Sequence, residues 1–81
     1  MYKNLTYFNK HKSIDRYEKC LMESGLFTDI TKVKKGRQET IYKSPEVLIS
    51  INKSTVNFLV FNNKKHNLIN KIEMFSDIFC K

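Results

Sequence analysis

Eighty-one residues, 41% hydrophobic and 28% charged, suffice for one domain with a small core and argue against a multi-substrate enzyme built around a deep cleft. The net charge is +7, carried by thirteen Lys and two Arg against eight carboxylates. No apolar run approaches the roughly 20 residues of a membrane span, and the N-terminal MYKNLTYFNKHK lacks an uninterrupted apolar signal segment, so the expectation is a cytoplasmic protein without membrane contact.

The basic excess is discounted in part, because a Lys-dominated chain with no Ala and many Asn and Ile carries the stamp of AT-rich codons. Proteins that grip phosphate tend to use the fork of Arg as well as the point charge of Lys. Its distribution is more informative. Residues 1–19 carry +3, 20–31 carry −2, 32–45 carry +4, 46–63 are neutral and 64–81 carry +2.

In chain order, Tyr2–Phe8 is rich in aromatics and forms either a short strand or an extended arm within residues 1–12, with Leu5 and Tyr7 on one side. Ser13 stands where a helix N-cap belongs. Ile14, Tyr17, Leu21 and Ser24 follow at helical spacing, and Asp15, Arg16, Lys19 and Glu23 take the opposite side. This predicts a helix over Ile14–Ser24, ended by the left-handed conformation that Gly25 allows. From Leu26 to Lys43, β-branched and polar residues alternate about a Lys35-Gly36 turn, for which glycine is expected to supply a positive φ. Pairing about that turn sets Ile30 opposite Ile41 and Lys32 opposite Glu39, and the many lysines suit a sheet edge. Ser44-Pro45 then marks a strand boundary, since proline cannot donate to a ladder.

Glu46–Phe61 is the densest β-branched and aromatic stretch and reads as a hairpin turning at Asn52–Thr55. Ile51 then pairs with Val56, Ile49 with Phe58 and Val47 with Val60 on one face, while Leu48 meets Leu59 and Ser50 meets Asn57 on the other. A slip of one residue would put the six-residue apolar cluster out of register. Finally Leu68, Ile72, Phe75 and Phe79 form a stripe about 60° wide on a helical wheel, flanked by Ile69 and Ile78. This predicts a helix over Lys65–Cys80, with Asn62 or Asn63 as its N-cap.

The expected fold is one α+β domain over residues 1–81. It is a two-layer sandwich of order (β)αββββα, with an antiparallel sheet of four strands, or five with the N-terminal segment, and both amphipathic helices packed on one face. If the helices cover the six-residue cluster, the opposite face with Leu48, Leu59 and Phe61 is left bare. Either Tyr2–Phe8 folds over it, or another chain does.

Chemistry is scarce. His11, His66, Cys20 and Cys80 form no CxxC or HxxxH pair, so no metal site and no cofactor are expected, and the histidines are read as surface residues. There is no GxSxG, HExxH or Gly-rich phosphate loop, and Asp15, Glu18 and Glu23 read as surface ion-pair partners, so an enzyme is the least favoured class. The basic clusters carry the best specific case. Lys32, Lys34, Lys35 and Arg37 would project together from a hairpin tip, Lys10 and Lys12 precede the first helix, and Lys64 and Lys65 precede the second. Each could meet phosphates, although Lys-rich turns are most often simply solvated. The order helix, strands, helix is similar to that of double-stranded-RNA-binding domains. Only the Lys64-Lys65 pair matches their motifs, and their Gly-Pro-rich loop and Lys-Lys-x-Ala-Lys helix start are absent, so membership is not inferred.

Two functions follow as expectations. The first is a small non-enzymatic interaction protein, of phage or mobile-element origin, that binds stoichiometrically to a host nucleic-acid-handling or defence complex and inhibits it. Its partner would be a host protein or nucleoprotein complex. The second is a basic regulator that binds nucleic acid directly through the Lys32–Arg37 turn. Leu48, Leu59 and Phe61 are the candidate protein interface in the first reading, or the contact of a homodimer.

Overall fold

The computed structural model describes residues 3–25, 27, 29–61 and 66–79, without the side chains of residues 66, 67, 78 and 79. Five strands and two helices follow in the order β1 (Lys3–Phe8), α1 (Ile14–Glu23), β2 (Thr31–Lys35), β3 (Glu39–Lys43), β4 (Val47–Asn52), β5 (Thr55–Val60) and α2 (His66–Phe79). The strands form one antiparallel sheet in the spatial order β1-β5-β4-β3-β2. This is the expected α+β sandwich, with the N-terminal segment as its fifth strand.

The order explains the work of α1. Strands β2 to β5 form a meander, whereas β1 and β2 lie on opposite edges and are joined only through α1. Ten helical residues span about 15 Å and five strands about 19 Å from first to last. One short helix with its loops therefore crosses the sheet from edge to edge. Ser13 caps it, its side chain accepting from the Arg16 N–H at 3.3 Å, and Gly25 follows the C-cap at φ 67°, where glycine avoids the Cβ clash of other residues.

The core lies between the sheet and the helices. Val47, Ile49, Ile51, Val56, Phe58 and Val60 are all at most 1% exposed, in the register that alternation predicts. Each contributes about 1.5–3 kcal/mol of burial. Tyr17 and Leu21 of α1 and Leu68, Ile72 and Phe75 of α2 close over them. Edge-to-face packing joins neighbours within each layer, α1 to α2 through Tyr17 and Phe75 at 5.7 Å and β1 to β5 through Tyr7 and Phe58 at 6.0 Å between ring centroids. The side chain of Phe79, the proposed caps Asn62 and Asn63, and Cys80 lie outside the described residues.

Strand β1 corrects one expectation. It does not fold over the second sheet face but extends the sheet beside β5, with Asn4 opposite Leu59 and Thr6 opposite Asn57. No described element covers that face. Its middle is polar, the Asn57 side-chain NH2 donating to the Thr6 hydroxyl at 2.7 Å, so the face has less need of a cover than Leu48 and Leu59 alone suggest.

The β2–β3 hairpin departs further. Lys32 pairs with Tyr42 rather than Glu39, Lys34 rather than Ile30 pairs with Ile41, and a bulge at Val33 shifts the register. The turn is longer than Lys35-Gly36, running through Arg37 and Gln38, with the Gly36 N–H bonded to the Glu39 carbonyl at 2.8 Å. Gly36 does not take a positive φ. It is needed for space, because a Cβ there would lie 2.9 Å from the Glu39 carbonyl oxygen. The physical reason for the register is Tyr42, which is fully buried beside Ile49 and reaches α1, an advantage that pairwise matching within the hairpin does not contain.

Candidate anion-binding site

One end of the sheet gathers the end of β1, the start of α1 and the β2–β3 and β4–β5 turns, and Asn9 joins three of these pieces. Asn9 is 3% exposed, a burial that a polar side chain tolerates only when it is bonded. Its backbone N–H continues the β1–β5 ladder to the Ser54 carbonyl at 2.8 Å. Its side-chain NH2 donates to the Asn52 carbonyl at 2.8 Å and the Ser13 carbonyl at 3.2 Å, and its Oδ1 accepts from the His11 N–H at 3.1 Å. Asn52 shapes the adjacent turn, its Oδ1 accepting from the N–H groups of Ser54 (2.8 Å) and Thr55 (2.6 Å). Between Asn9 and the Ser13 cap, Lys12 holds a left-handed φ of 52°, unusual for a residue with a Cβ.

The outcome is a recess of about 430 Å³ lined by Lys12, Ser13, Ile14, Asp15, Lys35, Gly36, Arg37, Thr40 and Lys53. Four cationic side chains from three segments face one carboxylate, Asp15. None of the four forms an ion pair among the described residues. The recess also takes in the first turn of α1, whose amide dipoles favour negative charge. An adjoining hollow of about 580 Å³ shares Lys53 and adds Gln38, Glu39, Asn52 and Ser54.

The basic residues singled out in the sequence are thus divided. Lys12, Lys35 and Arg37 come together. Lys10 is exposed in the turn before α1 but does not line the recess. The bulge at Val33 sends Lys32 and Lys34, two positions apart, to opposite faces: Lys34 pairs with Ile41 on the open face, and Lys32 with Tyr42 on the helix side. Lys64 and Lys65 lie outside the described residues. Lys53 has no mark in the sequence, because the hairpin that carries it is neutral and a lone turn lysine gives no local signal; only the sheet order brings it to Lys12.

Lys32 is engaged elsewhere. Its Nζ lies 3.1 Å from Oε1 of Glu18 and 5.9 Å from the centre of the Tyr42 ring, and the Tyr42 hydroxyl donates to Oε2 of the same carboxylate. Burial raises the pKa of Glu18, but the bonds from Tyr42 and Lys32, with the charges of Lys32 and Lys35, outweigh it and hold the carboxyl below its ordinary value. Burial first, and then the Glu18 carboxylate, push the Tyr42 phenol above its ordinary range. This trio pins α1 to the β2–β3 hairpin. Glu18 is thus the ion-pair partner that the sequence suggests, but of Lys32 on the hairpin, and by accepting from the Tyr42 hydroxyl it is a packing anchor as well.

The remaining candidates are placed as follows. Leu48 and Leu59 are half-buried and paired with each other on the open face, and Phe61 follows β5, its N–H bonded to the Glu46 carbonyl at 2.8 Å. His11 is not the surface residue expected: half-buried, it packs edge-on against Tyr17 at 6.2 Å. Cys20 is half-buried and free. No group of three or more potential metal ligands occurs among the described residues, and no described helix is long and apolar enough to cross a membrane. Compared with known protein families, curated proteins and solved structures, the chain matches none.

Proposed function

We propose that this chain is a non-enzymatic nucleic-acid-binding protein that engages the phosphate backbone through the cationic end of its sheet. The observation that carries the reading is the convergence of Lys12, Lys35, Arg37 and Lys53 on one recess with a single opposing carboxylate. Genomic codon bias would account for many lysines, but it has no reason to gather those of three separate segments and leave them without ion pairs among the described residues. Phosphate contacts of this kind give affinity without sequence choice and release counterions, so binding weakens steeply with salt.

The test is a gel shift with random-sequence DNA and RNA at low and moderate salt. Binding at low salt that fades with added salt, and that is lost in a Lys12→Glu, Lys35→Glu, Arg37→Glu and Lys53→Glu variant of unchanged circular dichroism, is the expected result. Absence of binding at low salt would refute the reading.

The sheet face that no described element covers favours a second reading. In it the chain, of phage or mobile-element origin, docks on a host nucleic-acid-handling or defence complex and inhibits it stoichiometrically, with Leu48, Leu59 and Phe61 at the contact. Co-purification of such a complex, abolished by Leu48→Asp with Leu59→Asp, would support it; capture unaffected by both changes would count against it.

A further inference from the structure

Resting on the nucleic-acid reading above, we propose that the ligand is single-stranded, with one base stacked on Phe8 while its phosphates sit at Lys12, Lys35, Arg37 and Lys53. Phe8 is 77% exposed, more than any other large apolar side chain among the described residues. Strand alternation turns Leu5 and Tyr7 toward the core and Phe8 to the open face, where it closes the β1–β5 ladder opposite Thr55. The next residue is Asn9, the buried hub of the cationic end. The exposed ring is thus mounted on a paired strand at the same end of the sheet as the basic recess but on the other face, a ready platform for a planar partner.

The charge of the two adjoining hollows says which part of a nucleotide each takes. The recess holds four cations and one carboxylate, which suits phosphate. The neighbouring hollow balances Lys53 against Glu39 and adds the amides of Gln38 and Asn52 and the Ser54 hydroxyl, which suits base edges rather than phosphate. The side-chain Oδ1 of Asn52 is occupied by the turn, which leaves its side-chain NH2 for a ligand. In the third row of the open face, Phe8 pairs with Thr55, and Asn52 with Glu39. A strand passing over Lys53 at the sheet end would place phosphate on the helix side and base on the Phe8 side. A duplex keeps its bases stacked inside and has nothing to offer the ring, whereas an unpaired base does.

The experiment measures fluorescence anisotropy of labelled 12-nucleotide single strands of DNA and of RNA, and of the matching duplexes, at several salt concentrations. Wild type is expected to bind single strands at least about tenfold tighter than duplexes, consistent with one base–aromatic stack. Phe8→Ala should weaken single-strand binding by about 5- to 150-fold with duplex binding and the salt slope unchanged, and Phe8→Tyr should restore it. Because Phe8 is exposed, unfolding curves of all variants should overlay, which separates a lost platform from a lost fold. Equal affinity for duplex, or a Phe8→Ala variant that binds like wild type, would overturn the single-strand assignment and leave the phosphate reading standing. No binding to any nucleic acid would overturn both, and salt-sensitive binding to polyglutamate alone would do the same in favour of an acidic protein partner.

Discussion

The two hairpins of this sheet are built by the same rules and yet behave differently as text. In β4–β5 every residue facing the helices is Val, Ile or Phe, so one register buries six apolar side chains and a slip of one residue exposes them. In β2–β3 the first strand is exposed throughout and carries three lysines. No register of β2–β3 buries much by itself, and the choice passes to Tyr42, whose ring fits under α1 and whose hydroxyl finds Glu18. The apolar hairpin chooses its own pairing; the polar one takes its pairing from the helix above it.

Substitutions can break or sharpen this contrast. The largest effect is expected for Phe58→Ala at the centre of the apolar hairpin, a loss of about 3–5 kcal/mol in denaturant unfolding. Tyr42→Phe keeps the buried ring but strips the Glu18 carboxylate of a donor, and should cost about 1.5–3 kcal/mol by the same measurement. A loss below about 0.5 kcal/mol there would mean that ring burial alone sets the β2–β3 register. Lys32→Met removes a partly exposed ion pair and should change stability by only about 0–1 kcal/mol.

The same trio predicts a pH dependence. The folded-state pKa of Glu18 lies below the ordinary 4.5, so its stabilising effect is complete above that value and is lost as pH falls through the folded pKa. Stability curves of wild type and Glu18→Gln should therefore converge as pH drops below 4.5. A constant gap down to the lowest pH would place the stabilisation in packing instead.

The candidate site shows the same division. Lys12, Lys35 and Arg37 stood out as members of basic runs, but so did Lys32, which is bonded to Glu18, and Lys34, which a single bulge turns to the other face. Lys53 and Asn9 carry no pattern that marks them. Asn9 in particular is one of many asparagines in an Asn-rich chain, and its importance lies in bonds to Ser13, Asn52 and Ser54, the last two more than forty positions away.

What could be read from the residues alone is whatever a local period or a local cap controls: the alternation of Val47 to Val60, the stripes of Tyr17–Leu21 and Leu68–Phe75, the Ser13 cap and the Gly25 stop. These preferences act between neighbours in the chain and are large enough to act alone. Three things needed the folded chain: the face given to Tyr42, the place of β1 at the sheet edge, and the meeting of Lys12 with Lys35, Arg37 and Lys53. Each depends on which strands become neighbours, a long-range choice settled by burial against α1 and by the bonds of Asn9, and no window of adjacent residues contains it.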